Sequence, residues 1–417
     1  MKRLCALFLT VLFLSACAPK SAPEGSGSES TSQPDPSTSS SQQQEETMEP
    51  AMALTDLGVT LENLPRMNGS TSTLGIVQAV YEGAGGNMQD ENYPWEPLRT
   101  VPSYEALING EVDLILVPYA SPAVREQAQQ AGVELEYSQV AAEALIFITP
   151  KDNTAANITG DQVREIYLHN GISNWSELGG PDRGLVPICR NADSGSQSQM
   201  DNLILNGQAM DPTIQENYVE LTMEGMLEQV AYYHSGGMFD EPTDTYALGY
   251  TLFTYLEDMD SFTGIGSELK ILNYEGVAAT AESIADGSYP LSDGYYAVTR
   301  ADLPQDHPAR AVVRWLRSQT GQEALLHQGF IPVYMAQLPP QDTEEAARQE
   351  VARYYADYTE WQVQDVRLVE QMGNSISFHV TVTLEDGQTQ EQEILLESSM
   401  RGWSVVYSMP LDEETGN

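Results

Sequence analysis

The chain has 417 residues, 41% of them hydrophobic, enough for a large body or two to three domains with real cores. With 19 basic and 61 acidic residues it carries a formal net charge of −42, and its only lysines are Lys2, Lys20, Lys151 and Lys270. That balance excludes a nucleic-acid partner, because phosphate-backbone binding rests on basic patches. A bound anion would instead need local, neutral donors such as backbone amides and hydroxyls.

In chain order, Lys2 and Arg3 precede an apolar run from Leu4 to Leu14. This is the pattern of a secretory signal, too short for a membrane-spanning helix. Leu14-Ser15-Ala16-Cys17 resembles a bacterial lipobox, which implies cleavage before Cys17 and lipidation of its thiol. The alternative is plain secretion; the polar stretch that follows favours lipidation. Residues 18–54 are read as a disordered tether, since Ser, Pro, Gln, Glu and Gly dominate and bury little. Cys5 leaves with the signal and Cys17 is lipidated. Cys189 then has no partner, which excludes a disulfide framework.

Asn68-Gly69-Ser70-Thr71-Ser72-Thr73 precedes Leu74, Ile76, Val77 and Val80, a hydroxyl-rich helix start. Leu114–Val117 and Ala144–Ile148 read as buried strands. Thr159 caps a helix through Tyr167, with Gly171 at its exit. Arg190 and Asp193-Ser194-Gly195-Ser196-Gln197 come ahead of the periodic Met200, Leu203, Ile204 and Leu205. Arg supplies an always-charged fork of donors. The helix start offers outward N–H groups and a positive dipole end, and Gly195 permits close approach, so the segment seats an oxyanion. The plainer alternative is an N-cap, Asp193 or Ser194, with Arg190 in a surface salt bridge. Asp193 would cap or pair with Arg190. Two such helix starts in distant segments suggest one site closed from two sides.

His234-Ser235-Gly236-Gly237 reads as a loop, and Asp240, Glu241 and Asp244 as a solvated turn without calcium-loop spacing. Pro308 begins a helix carrying Ala311, Val312, Trp315 and Leu316; it breaks near Ser318–Gly321, and a further turn ends at Gly329. Pro339-Pro340 marks a boundary. Asp342 with Glu345 forms a capping box for a helix to about Tyr358. The period then switches to two over Ile376, Phe378, Val380, Val382 and Leu384, with a hairpin turn at Asp386-Gly387. Residues 338–417 thus form a small α+β module, one helix on an antiparallel sheet.

The ordered series of segments resembles the phosphate ABC-transporter substrate-binding proteins over roughly residues 55–337. Pro65–Thr73 resembles their first ligand loop, and Arg190–Ser196 their Arg-x-x-x-Ser-Gly-Thr/Ser signature. Tyr104–Leu114, Gln162–Tyr167, Asn174–Gly180, Tyr289–Leu291 and Gly321–Val333 match further segments in order. The resemblance implies an α/β, two-lobed, periplasmic-binding-protein-like (type II) fold. One lobe comprises about 55–140 and 238–337, the other 141–237, joined by a two-strand hinge. It also implies the ligand residues: Ser70, Thr71 and Ser72; Thr100, or Ser103 after a small slip; and Arg190, Ser194, Gly195 and Ser196. In one respect the chain departs from the family, whose acid accepts the proton of hydrogen phosphate shortly after the strand matching Leu114–Val117. Here Pro118-Tyr119-Ala120-Ser121 contains none. That predicts weak discrimination between phosphate and sulfate.

No Gly-x-Ser-x-Gly, HExxH or CxxC occurs, and His169, His234, His307, His327 and His379 show no ligand-type pairing. The expectation is therefore neither an enzyme nor a metal or cofactor protein. It is an extracytoplasmic, monomeric lipoprotein, anchored to the membrane through Cys17, that passes phosphate or a similar oxyanion to an ABC permease. The alternative is a cell-surface sensory or interaction protein whose C-terminal module docks a partner.

Overall fold

The computed structural model describes residues 47–235, 243–359, 361–399 and 402–411. The signal segment, Cys17, Gly236, Gly237, Asp240 and Glu241 lie outside the described residues, as does most of the tether. Among the described residues no helix is long and apolar enough to cross a membrane.

One strand, Leu135–Pro150, organises the main body and is buried continuously from Val140 onward. Such a run, without alternation, is what a strand covered on both faces requires. Its first part, Leu135–Ala144, pairs antiparallel with Ser292–Arg300. That strand in turn pairs with Leu114–Pro118, which runs parallel to Met67–Gly69. Its last part leaves that neighbour: Leu145–Ile148 pairs with Thr245–Leu252, and Ile148–Pro150 with Leu269–Ile271. Gly184–Pro187 lies parallel to Thr245–Leu252 on the far side.

The hydrophobic cores divide along the same line. One contains Ile76, Val80, Leu116, Ala141, Ala297, Trp315 and Phe330. The other contains Phe147, Ile166, Trp175, Ile204, Tyr250, Leu272 and Leu291. Two lobes therefore meet at Ala141–Ala142 and again between Leu291 and Tyr295. The expected return to the first lobe at residue 238 needs correction. Thr245–Leu252 and Leu269–Ile271 pair inside the second lobe, and Asn273–Tyr274 pairs with Asn157–Ile158 there as well.

Local chemistry explains the helix boundaries. Thr159 Oγ1 accepts from Gln162 N at 3.3 Å while Gln162 Oε1 accepts from Thr159 N at 2.9 Å, opening Gly160–His169. The exit is taken by Asn170 at φ 48, not by Gly171, because Asn tolerates the left-handed region. Pro308–Leu316 and Gln319–His327 are separate helices, the second capped by Ser318.

After Pro339-Pro340, the helix Glu344–Tyr358 packs on a four-stranded antiparallel sheet of Gln362–Met372, Ser375–Thr383, Thr389–Ser399 and Gly402–Pro410, paired in sequence order. The expected Asp342/Glu345 capping box is replaced by Thr343, whose hydroxyl accepts from Ala346 N at 3.1 Å. Ile376, Phe378, Val380, Ile394 and Leu396 face Ala347, Val351 and Tyr355 in a core separate from the two lobes. His327 Nε2, 3.4 Å from Glu350 Oε2, links the module to the body. Truncation after Gln337 is therefore expected to leave ligand affinity and body folding intact. Calorimetry and a melting curve of the truncated chain check this; loss of folding would show that the module completes the main core.

Candidate anion-binding site

The first lobe contributes a loop at the end of the strand Met67–Gly69. Ser70 N donates to Leu116 O at 3.2 Å and to Thr73 Oγ1 at 2.9 Å. Thr73 Oγ1 donates to Leu116 O at 2.5 Å, tying the turn Thr71–Thr73 to the strand beneath it. Ser70 Oγ lies 3.0 Å from Thr73 Oγ1 and 3.2 Å from Ser72 Oγ. Gly69 is required here: a Cβ would stand 2.8 Å from both Leu116 O and Thr73 Oγ1. The helix Leu74–Gly83 follows, and its entry leaves amides without intrahelical partners.

The helix Thr100–Ile108 supplies the next contact. Thr100 is 2% exposed and its Oγ1 has no partner. Ser103 Oγ donates to Gly69 O at 3.2 Å, so that hydroxyl braces the first loop. Of the two alternatives read from the sequence, Thr100 presents the available group.

The second lobe contributes Arg190, 6% exposed on the short strand Cys189–Arg190. Nε donates to Glu220 O at 3.0 Å and Nη2 to Leu221 O at 3.2 Å, while Nη1 is buried without a partner. Its backbone N donates to Tyr250 Oη at 2.9 Å, and the same hydroxyl donates to Gln197 Oε1. Among the described residues Arg190 forms no salt bridge, and Asp193 pairs with Arg99 instead, unlike the surface pairing that one reading of the sequence offered. Two carbonyls instead aim the guanidinium and leave one N–H end over. Burial pushes its pKa down. Ser194 caps the helix Gly195–Met200, and its Oγ lies 2.9 Å from Ser196 Oγ.

The lobes touch where these segments meet. A Cβ on Gly195 would lie 2.8 Å from Pro118 Cγ and 2.9 Å from Thr100 Oγ1. Asp193 Oδ2 is 3.3 Å from Arg99 Nη1, across the seam. Arg125 Nη1 donates to Asn202 Oδ1 at 3.0 Å, and Asn202 Nδ2 to Ala120 O at 3.1 Å. Asn191 Oδ1 and both polar atoms of Gln199 are likewise buried without partners beside Arg190 and along the Gly195 helix. Side chains of both lobes thus leave donors and acceptors at one seam, an arrangement suited to a small polar anion.

Cys189 is buried, and burial pushes its thiol up to about 11, which fits an inert strand residue. Asp244 lies 3.4 Å from Arg183, and His234 stacks edge-on against Tyr246. Among the described residues no group of three or more His, Cys, Asp or Glu could hold a metal ion.

Sequence reasoning missed Glu143, 1% exposed in the middle of the long strand. Burial pushes its carboxyl up, opposed by hydrogen bonding from Thr254 and the Ala144 backbone. The available signal was a lone charge inside the apolar run Val140–Ile148.

Asp201, at the end of the Gly195 helix, accepts from Gln197 Nε2 at 2.9 Å. Burial pushes its carboxyl from the ordinary 3.8 up to about 6. Ionised Asp201 therefore opposes folding, fully above pH ~6, less as pH falls toward ~4, and not below. Asp201→Asn keeps the acceptor and removes the charge. It is expected to stabilise the protein at pH 8 by on the order of 1–3 kcal/mol and to do little at pH 4. Melting curves at both pH values decide; equal shifts would contradict the burial cost.

A family model described as the PBP superfamily domain matches residues 35–320. The phosphate-binding protein PstS of Borreliella burgdorferi is 28% identical over 211 residues, covering 50% of this chain and 69% of that protein. The phosphate-binding protein PstS of Bacillus subtilis is 26% identical over 196 residues, covering 47% of this chain and 57% of that protein. Among solved structures, an ABC-type phosphate transport receptor from Vibrio cholerae is similar with a TM-score of 0.46 and 20% identity, covering 64% of this chain and 98% of that one. Because the family model spans well over half of the sequence, the chain belongs to the PBP superfamily.

Proposed function

We propose that this chain is an extracytoplasmic solute-binding protein that captures an oxyanion, phosphate first among them, between its lobes. It is held at the membrane through lipidated Cys17 and hands its ligand to an ABC importer. The observation that carries this reading is that Arg190 Nη1 and Thr100 Oγ1 are each left as an unused polar group. Both are buried, both lack partners, and they come from opposite lobes whose contact point is Gly195. Ser70, Thr71, Ser72, Ser194 and Ser196 complete the donor set. Ser103 acts behind it as a brace. The similarity to phosphate-binding proteins supports the ligand class, and binding rather than catalysis.

Charge-assisted hydrogen bonds contribute about 1.5–3 kcal/mol each. A handful, after ordering costs, reaches about 8 kcal/mol or roughly micromolar affinity. Titration calorimetry of the full chain with phosphate, sulfate and methylphosphonate tests the reading. Saturable one-to-one phosphate binding is expected. Heat of dilution alone for all three anions would reject an oxyanion receptor.

The module at Glu344–Pro410, with its own core, favours a second reading in which the two-lobed body senses the anion and the module docks a partner. Phosphate uptake that survives deletion of the gene, with loss of a phosphate response, would favour it over transport.

A further inference from the structure

The second-lobe half of the site stands on little backbone of its own. Arg190 lies on a strand of two residues, Cys189–Arg190, which runs parallel to Val219–Glu220. The helix beside it, Gly195–Met200, has six residues. Elements that short are marginal by themselves, so what fixes one against the other comes from outside them.

Tyr250 supplies that support. It is fully buried on the strand Thr245–Leu252, opposite Phe147 of the long central strand. Its ring packs edge-on against Tyr167 at 5.6 Å and Phe147 at 6.3 Å. Its hydroxyl accepts from Arg190 N at 2.9 Å and donates to Gln197 Oε1. Gln197 Nε2 donates in turn to Asp201 Oδ1 at 2.9 Å. One hydroxyl therefore ties the strand that carries Arg190 to the helix beside it. The direction of this chain is set at its far end. An ionised carboxylate only accepts, so Asp201 draws the Nε2 end of Gln197 and leaves Oε1 to face Tyr250. Tyr250 then donates to Gln197 and keeps a lone pair for Arg190 N.

We propose that Tyr250 is a positioning residue for oxyanion binding: its hydroxyl holds Arg190 in place against the Gly195 helix, with Gln197 and Asp201 fixing the direction of that hydroxyl. Tyr250 acts through Arg190 and does not touch the anion. A guanidinium already held in place loses little freedom on binding, which is where the affinity comes from. In the first lobe Ser103, donating to Gly69 O, is the matching brace. This rests on the oxyanion reading proposed above.

The test is phosphate affinity and melting temperature of the full chain at pH 7.5. The proteins compared are the unmutated chain, Tyr250→Phe, Tyr167→Phe, Arg190→Ala and Arg190→Ala combined with Tyr250→Phe. Tyr250→Phe keeps the ring packing and removes the hydroxyl, and Kd should rise about tenfold. Tyr167 controls for stability alone. Its equally buried hydroxyl donates to Ile188 O at 3.1 Å and Leu248 O at 3.2 Å, so Tyr167→Phe should lower the melting temperature and leave Kd unchanged. In the Arg190→Ala background, Tyr250→Phe should shift Kd less than about twofold, because the group it positions is gone. If Tyr250→Phe does not fold, Gln197→Met decides: it removes the acceptor of the phenol, and Kd should rise at least about threefold. An unchanged Kd in the folded variant, an equal rise in Tyr167→Phe, or the full rise repeated without Arg190 would overturn the positioning role and leave the receptor standing. No phosphate bound by the unmutated protein would overturn both.

Discussion

Arg190→Ala is expected to weaken phosphate binding by on the order of 3 kcal/mol, about a hundredfold or more in Kd. The free Nη1 end belongs to a permanent positive charge buried at the lobe seam, and its aim is fixed by Glu220 O and Leu221 O. Those two bonds also mean that truncation has a structural cost. Two carbonyls lose their donor, so a stability loss of about 1–3 kcal/mol accompanies the loss of binding. Arg190→Lys separates the two effects: it restores charge but not the fork that reaches both carbonyls and a ligand together. Calorimetry and melting curves on the three proteins check the expectation, and an unchanged Kd in Arg190→Ala would remove Arg190 from the site.

Gly195→Val should be nearly as damaging, for a different reason. A Cβ there would lie 2.8 Å from Pro118 Cγ and 2.9 Å from Thr100 Oγ1, both on the opposite lobe. Neither contact is tolerated, and overpacking costs about 1–3 kcal/mol even before the added methyl groups are placed. The lobes relieve the clash by staying apart, so the donors of each lobe no longer converge on one anion. The side chain would meet Pro118 and Thr100 of the other lobe, so affinity should fall at least about tenfold while melting changes less. Small-angle scattering should show no compaction on adding phosphate. Normal compaction with normal affinity would mean that the seam is looser than the structure places it.

Features that depend on neighbours in sequence were legible without coordinates. Ser70 and Ser194 as helix-entry hydroxyls, the Thr159 cap, the split helix after Pro308 and the alternating strand Ser375–Thr383 all follow from local capping and periodicity. Assignments that depend on distant segments were not. Arg190 finds its partners at Glu220 and Leu221, and Asp193 finds Arg99 on the other lobe. Thr100 and Ser103 are both buried hydroxyls on one helix; only the strand end at Gly69 tells which is spent. The apolar strand Thr245–Leu252 does not say which sheet it joins, which is why the lobe boundary was misplaced. Glu143 was hidden inside a run that otherwise reads as plain core.

A crystal structure of the full chain with phosphate tests the account most directly. The prediction is a phosphate at the lobe seam, its oxygens within hydrogen-bond distance of Arg190 Nη1, Thr100 Oγ1 and the Ser70–Ser72 loop, with Gly195 against Thr100. Phosphate bound elsewhere, or bound while Arg190 Nη1 and Thr100 Oγ1 remain unpartnered, would contradict it.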